Sequence, residues 1–214
     1  MITIKTFAFN SFQVNSFVLH DATGSCVIID PGCYTPAEKQ TLKDYIDSNG
    51  LKPVKIIATH MHIDHILGLK FVADQYQIGL ACHKDAEQFI RSAEGSATVF
   101  GFELEGTVNP DQYLEDETFF KFGDSSIRIL HTPGHADGSI CLVLEDEKVV
   151  ITGDVLFRDS IGRTDLPTGD FDVLMESINT KLFTLDDGFK AYPGHGPATS
   201  IGHEKINNPF VRIQ

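Results

Sequence analysis

Three histidines and an aspartate crowd into six residues of the stretch "THMHIDH": His60, His62, Asp64 and His65. The apolar run "VKIIA" leads into them, and apolar residues resume directly afterwards. Imidazoles and a carboxylate this dense would waste desolvation energy unless a cation sits among them. Three later positions repeat the arrangement singly. "IRIL" leads into "HTPGH", which places His135 just past a Pro-Gly turn, "VVIT" leads into Gly153 and Asp154, and "FKAY" leads into "PGHGP", which carries His195. Four apolar runs therefore each deliver metal-type ligands at their carboxyl ends.

Imidazole and carboxylate ligands together suit zinc, with iron and manganese as alternatives. Seven such groups exceed the roughly four that one tetrahedral site uses. Two adjacent ions sharing a carboxylate bridge can use them all. Two metals about 3.5–4 Å apart can hold a hydroxide between them and polarise a carbonyl or phosphoryl oxygen. Each piece alone has a plainer reading. An isolated buried histidine is usually satisfied by a backbone carbonyl, and Gly-Asp or Pro-Gly-His after a strand is usually a turn or cap. The density of the first cluster, joined by ligand types at three other strand ends, favours metal.

The elements that must position these residues are legible around them. "ITIKTFAF" and "SFVLHDATGSCVIID" read as strands, the second a hairpin turning at "DATGS". "TPAEKQTLKDYIDSNG" reads as a helix that Thr35 can cap, Pro36 can open, Glu38 can complete as a capping box and Gly50 can close. "VKIIAT" predicts a short buried strand, residues 65–76 a helix, "IGLAC" a strand and residues 84–93 another helix. Residues 94–112, with Gly95, Gly101, Gly106 and Pro110, are expected to form a surface insertion or lid. "TFFKF", "SIRIL", "ICLVL" and "KVVIT" predict further strands, residues 171–183 a helix, and "FKAY" a strand before a polar tail. Two strand-rich halves, each with helices, predict two sheets packed face to face and covered outside by helices. No linker or low-complexity tract divides them, so one domain over 1–214 is expected. If the ligand-bearing strands run alike, their ends share one rim, where open α/β sheets bind ligands.

The chain of 214 residues carries 30 acidic against 17 basic side chains, a net charge of −13. That balance argues against a nucleic-acid binder, which usually presents a basic face. No apolar run approaches the roughly 20 residues a membrane helix requires. Four dispersed cysteines, Cys26, Cys33, Cys82 and Cys141, form no C-x-x-C pair. With no signal peptide evident in "MITIKTFAFN", reduced thiols and a cytoplasmic location are expected.

"THMHIDH" resembles the H-x-H-x-D-H signature of the metallo-β-lactamase superfamily, and "TPGH", "TGD" and "PGHG" resemble its later metal motifs in the same order. The resemblance implies an α+β fold, an αββα sandwich of two mixed sheets, with the metal site along one edge. It also implies that His60, His62 and His135 hold one metal, that Asp64, His65 and His195 hold a second, and that Asp154 bridges them. "GDVLFRDSIGRTDLPTGD" resembles the glyoxalase II-like branch, in its short single-domain form. The implied reaction is attack of a metal-bridged hydroxide on a thioester such as S-lactoylglutathione, with Asp64 and Asp154 in catalytic roles. The chain ends soon after His195, so the C-terminal helical domain of full-length glyoxalase II enzymes is not expected. A lactonase on the same centre and a persulfide dioxygenase with a single iron are the alternatives. Flavodiiron proteins are disfavoured, because they typically replace the second histidine of the signature, here His62, with Glu.

Four other positions invite readings. Arg163 could bind a substrate carboxylate bidentately or pair with Asp165 or Asp170. Asp30, after the "VII" strand, could orient a ligand imidazole or simply form a turn. His131 is expected to shape the loop that carries His135, and His20, His83 and His203 to be surface or structural residues. A small-molecule thioester or ester is the partner expected, with neither nucleic acid nor a membrane.

Overall fold

The computed structural model describes residues 1–211. Its first sheet runs in spatial order β1 (Thr3–Phe9), β2 (Val14–His20), β3 (Ser25–Ile29), β4 (Lys52–Ile57), β5 (Leu80–Cys82) and β6 (Pro110–Tyr113). The first three strands are antiparallel neighbours, and β3 to β6 are parallel. The second sheet contains β7 (Phe119–Phe122), β8 (Ser125–His131), β9 (Ile140–Leu144), β10 (Val149–Gly153), β13 (Lys190–Pro193) and β14 (Thr199–Ser200), ordered β14-β13-β10-β9-β8-β7. A separate short hairpin joins β11 (Leu156–Phe157) to β12 (Ser160–Ile161).

Alternation along each strand builds three apolar layers from this arrangement. Val27 and Ile29 point into the space between the sheets, where Ile127, Ile129, Ile140 and Leu142 meet them. Cys26 and Ile28 point outward beneath α1 (Pro36–Ser48) and α3 (Leu69–Tyr76), against Leu42, Ile46 and Val72. On the far side, Cys141, Val143 and Val150 pack against Leu174, Ile178 and Leu182 of α5 (Phe171–Ser177) and the π-turn that extends it. Strands buried on both faces must be apolar throughout, which is why "ICLVL" and "VVIT" show no polar alternation. The result is an αββα sandwich of two mixed sheets.

Both β8 and β10 are antiparallel to β9, and β13 is parallel to β10. The carboxyl ends of β8, β10 and β13 therefore lie on one edge. The helix over 36–48 forms as its signals predict, with Thr35 accepting from the Glu38 N–H and Glu38 returning the bond to the Thr35 backbone.

Three expectations are corrected. Residues 65–76 are two helices, α2 (Ile63–Ile66) and α3, because the backbone at Gly68 presses on Pro31 and Cys33 so closely that a Cβ would lie 2.4 Å from the Cys33 sulfur. Residues 94–112 are irregular only over 100–109: α4 runs Glu87–Val99, and β6 takes up Pro110–Tyr113. Ile90, Ala93 and Ala97 continue the buried helical rhythm, while Gly95 sits on the open side. The helix expected over 171–183 forms along almost its whole length, as α5 to Ser177 and then as a wider π-turn, Ile178–Leu182, where the Phe183 N–H bonds back to the Ile178 carbonyl. The polar tail contains α6 (Ile201–Asn207), capped by Ser200, whose hydroxyl accepts from the His203 N–H. None of the helices among the described residues is long and apolar enough to cross a membrane.

Leu142 lies in the layer shared by both sheets and is fully buried. Leu142→Ala is expected to lower unfolding free energy by about 2–5 kcal/mol, read by chemical denaturation. A loss below about 1 kcal/mol would mean that this layer is not close-packed.

Candidate metal centre

The spacing of "THMHIDH" is explained by a change of backbone conformation within it. Residues two apart in extended backbone face the same side, which puts His60 and His62 together. His62 still has extended angles (φ −67°, ψ 150°) as it opens α2, and the helical turn that follows swings Asp64 and His65 into the same space. The turns after β8, β10 and β13 add His135, Asp154 and His195 from the second sheet. All seven ligand-type residues meet at one edge of the sandwich.

They form two groups. Ligand atoms of His60, His62 and His135 lie within 4.8 Å of one another, as do those of Asp64, His65 and His195. In the first group His135 Nε2 faces His62 Nδ1 at 2.9 Å. In the second, His195 Nε2 is 3.1 Å from Asp64 Oδ2 and 3.3 Å from His65 Nε2. Asp154 stands between the groups, with Oδ1 3.4 Å from His65 Nε2 and Oδ2 3.8 Å from His135 Nε2 and 3.5 Å from His195 Nε2.

Three imidazoles are oriented from behind. His65 Nδ1 donates to Asp30 Oδ2 at 3.0 Å, His135 Nδ1 to the Arg163 carbonyl at 2.8 Å, and His195 Nδ1 to the Phe12 carbonyl at 3.0 Å. Those acceptors keep a proton on Nδ1, so each ring can present its Nε2 lone pair inward. His60 Nε2 and Asp154 Oδ1 are buried with no hydrogen-bond partner among the described residues. Leaving a nitrogen and a carboxylate oxygen bare in one place is expensive, and a cation between them removes the penalty. The residues present therefore fit a metal.

The titration behaviour agrees. Burial and the neighbouring imidazoles hold His60 well below the usual histidine value, and burial together with His135 brings His62 down to about 4. Burial would raise Asp64 and Asp154, yet the His65 and His195 imidazoles hold both carboxyls below the usual range. Metal binding requires neutral imidazole and ionised carboxylate. Burial disfavours a charge on His65, but Asp154 and Asp64 overcome it and raise its basicity well above normal. In the metal-free protein a proton there supplies part of the positive charge that an ion would bring.

Asp30 acts as an orienter, the first of the two roles its position in the sequence allowed. It is fully buried and sits at a left-handed φ of +46°, uncommon for a residue other than glycine. Besides His65 it accepts from the Thr59 N–H at 2.7 Å and the Thr59 hydroxyl at 2.6 Å. Arg163 contributes its carbonyl to His135, while its guanidinium forks onto Asp165 at 2.7 Å twice. His131 stacks on His83, with ring centroids 3.8 Å apart. His20 meets the Tyr45 hydroxyl and His203 meets Asp159. Burial pushes all four cysteine thiols up to about 12, which suits packing residues rather than nucleophiles.

Besides Phe12, two contributors were not singled out by the sequence. The Asn10 amide donates to the Gly32 and Asp64 carbonyls, 2.9 Å each, and ties the first hairpin to the ligand turn. Gly194 has no room for a side chain, because a Cβ would lie 2.1 Å from Asp154 Oδ1 and 2.8 Å from His65 Cε1. The "PGHG" motif was the available signal for Gly194, whereas nothing local marks Asn10.

A cavity of about 510 Å³ opens over both groups, with His62, Asp64, His135, Asp154 and His195 in its wall. A larger depression of about 700 Å³ beside α5 has Asp172 and Glu176 but no converging ligand set.

An αββα sandwich with two His/Asp groups on its edge defines a class of metal-binding protein. The chain belongs to the metallo-β-lactamase superfamily, whose family model matches residues 10–203. It is 34% identical over 212 residues to the hydroxyacylglutathione hydrolase GloC of Haemophilus influenzae, spanning 98% of each chain. Among solved structures it resembles BLEG-1, a B3 metallo-beta-lactamase, with a TM-score of 0.89 and 34% identity over 98% of this chain and 99% of the other. It also resembles TTHA1623 in a di-iron-bound form, with a TM-score of 0.86 and 30% identity over 97% of this chain and all of the other.

Asp30→Asn preserves size but puts an NH2 where Thr59 or His65 now donates. It is expected to weaken metal retention about 10–100-fold, read by titration against a chelator with circular dichroism as the fold control. Gly194→Ala is expected to lower metal stoichiometry by elemental analysis while secondary structure is kept; unchanged stoichiometry would show that Asp154 can move aside.

Proposed function

We propose that this protein hydrolyses a small-molecule thioester or ester, with S-lactoylglutathione as the reference substrate. On this reading His60, His62 and His135 hold one divalent ion, Asp64, His65 and His195 hold a second, and Asp154 bridges the two. Zinc is the first choice, with iron or manganese as alternatives. The observation that carries the proposal is the place of Asp154, within 4 Å of ligand nitrogens from both groups. The likeness to a hydroxyacylglutathione hydrolase along nearly the whole chain supports the choice of substrate.

When bound, two such ions lower the pKa of water and polarise a carbonyl oxygen. The protein's residues do the rest. His65, His135 and His195 are held in the ligating tautomer by Asp30 and by the carbonyls of Arg163 and Phe12. Asp64 is kept ionised by its imidazole neighbours and is hydrogen-bonded to His195, so it can accept a hydrogen bond from the attacking water and orient it. Among the described residues the cavity wall offers no lysine, tyrosine or cysteine as general acid, and Arg163 does not give up a proton. A leaving group that needs little protonation is therefore favoured. A thiolate, from a thiol of pKa about 8.5, meets that condition better than an alkoxide or amide. The net charge of −13 supports a small-molecule substrate rather than a nucleic acid.

The test is elemental analysis of the purified protein alongside hydrolysis of S-lactoylglutathione and a simple lactone. Two metal equivalents with thioester turnover are expected, and Asp154→Ala is expected to lower kcat/KM by about 100-fold or more. Wild-type turnover by that variant would sink the proposal. One iron per chain, no hydrolysis and oxygen uptake on glutathione persulfide would assign the protein to dioxygenase chemistry instead.

A further inference from the structure

The wall of the cavity opposite the ligand groups is one face of α4. Phe89, Ser92, Ala93, Ser96 and Phe100 line it, at the intervals that place side chains along one stripe of a helix. The stripe begins at the site, because the Phe89 ring stands edge-on to His62 with centroids 5.4 Å apart. It ends at Phe100, which meets the ring of Phe12 edge-on at 5.8 Å. Between these aromatic rings the side chains are small, so the stripe forms a trough rather than a ridge.

The surroundings of the trough are apolar. Leu166 and Pro167, in the loop between β12 and α5, close the cavity on one side, and Met61 and Ile63 also line it. Phe12 and Phe100 remain 44% and 52% exposed, although both are large apolar side chains beside a concave site. Exposed aromatics grouped at a pocket mouth mark a binding surface rather than a packing accident. Apart from the imidazoles, the only cation in the wall among the described residues is Arg163, and its guanidinium is occupied by both oxygens of Asp165.

We propose that the α4 trough between Phe89 and Phe100 is a substrate subsite that takes an uncharged alkyl or aryl substituent of the scissile compound. It rests on the proposed hydrolase reading only for the identity of the bond broken beside it. Phe12 links the subsite to the metal groups, since its ring closes the mouth while its carbonyl orients His195. Ser96, at the middle of the trough and half-buried, decides how long a substituent fits.

The experiment uses two non-hydrolysable thioethers of N-acetylcysteamine, S-hexyl and S-methyl, titrated calorimetrically into the metal-loaded protein. The hexyl compound is expected to bind about tenfold or more tightly, as burial of several methylenes requires. Ser96→Trp, which fills the trough, is expected to erase the difference between the pair, and Phe100→Ala to reduce it. Thermal denaturation of both variants keeps misfolding separate from loss of the subsite. Equal affinities for the two thioethers would overturn the inference, as would a preference that survives in a folded Ser96→Trp. The hexanoyl and acetyl thioesters of the same thiol are assayed in parallel. If these thioesters, S-lactoylglutathione and the lactone are all left intact while the hexyl preference holds, the hydrolase reading fails and the subsite stands.

Discussion

Burying a carboxylate is costly unless donors meet its lone pairs, and Asp30 satisfies that condition by tying three parts of the chain together. Its oxygens take the Thr59 N–H and hydroxyl at the end of β4 and the Nδ1 proton of His65 in α2. Its own N–H bonds to the Ile57 carbonyl, and its carbonyl accepts from the Ser16 hydroxyl on β2. This web holds a non-glycine residue at a left-handed φ, which would otherwise be unfavourable by roughly 1–3 kcal/mol. The first sheet is thus locked to one imidazole of the site, and the remaining ligands assemble around that fixed point.

The second sheet reaches the same point by strand direction, and backbone hydrogen bonds then tie its turns to the first sheet: the Asn15 N–H bonds to the Gly194 carbonyl and the Ile140 N–H to the Thr59 carbonyl. Because β8, β10 and β13 run the same way, three separate turns open on one edge. Close backbone approach then sets the spacing. Gly194 lets the β13 turn lie against Asp154, and Gly153, at φ +48°, lets the β10 turn lie against Thr59. The apolar layer between the sheets keeps those turns opposite the "THMHIDH" segment. Two half-sites that could not hold their charge alone are thereby brought within ligand distance of each other.

The opposing demands on the buried groups explain the character of the centre. Desolvation keeps His60 and His62 neutral, while proximity to imidazoles keeps Asp64 and Asp154 ionised. Unpaired atoms at His60 and Asp154 remain in the middle. A site arranged in this way is poised for a cation and gains little from any other occupant.

Much of this was legible in the order of residues. The ligand types, their placement after apolar runs and the αββα layering all follow from local chemistry: a dense His/Asp cluster has few other uses, and doubly buried strands must be apolar throughout. The capping box at Thr35 and Glu38 is equally local. What the sequence left open depends on contacts between distant segments. Gly95 suggested that residues 94–112 were irregular, yet α4 continues through it because Ala93 and Ala97 are buried against the core. Two roles for Arg163 were equally open until the fold set Asp165 beside its guanidinium and His135 beside its carbonyl. Asn10 and Phe12 carried no local mark, since their partners lie 54 and 183 residues away. Residue type and spacing determined which chemistry this protein can perform; only tertiary packing, which brings remote backbone against each imidazole, decided how the ligands are aimed and what lines the space above them.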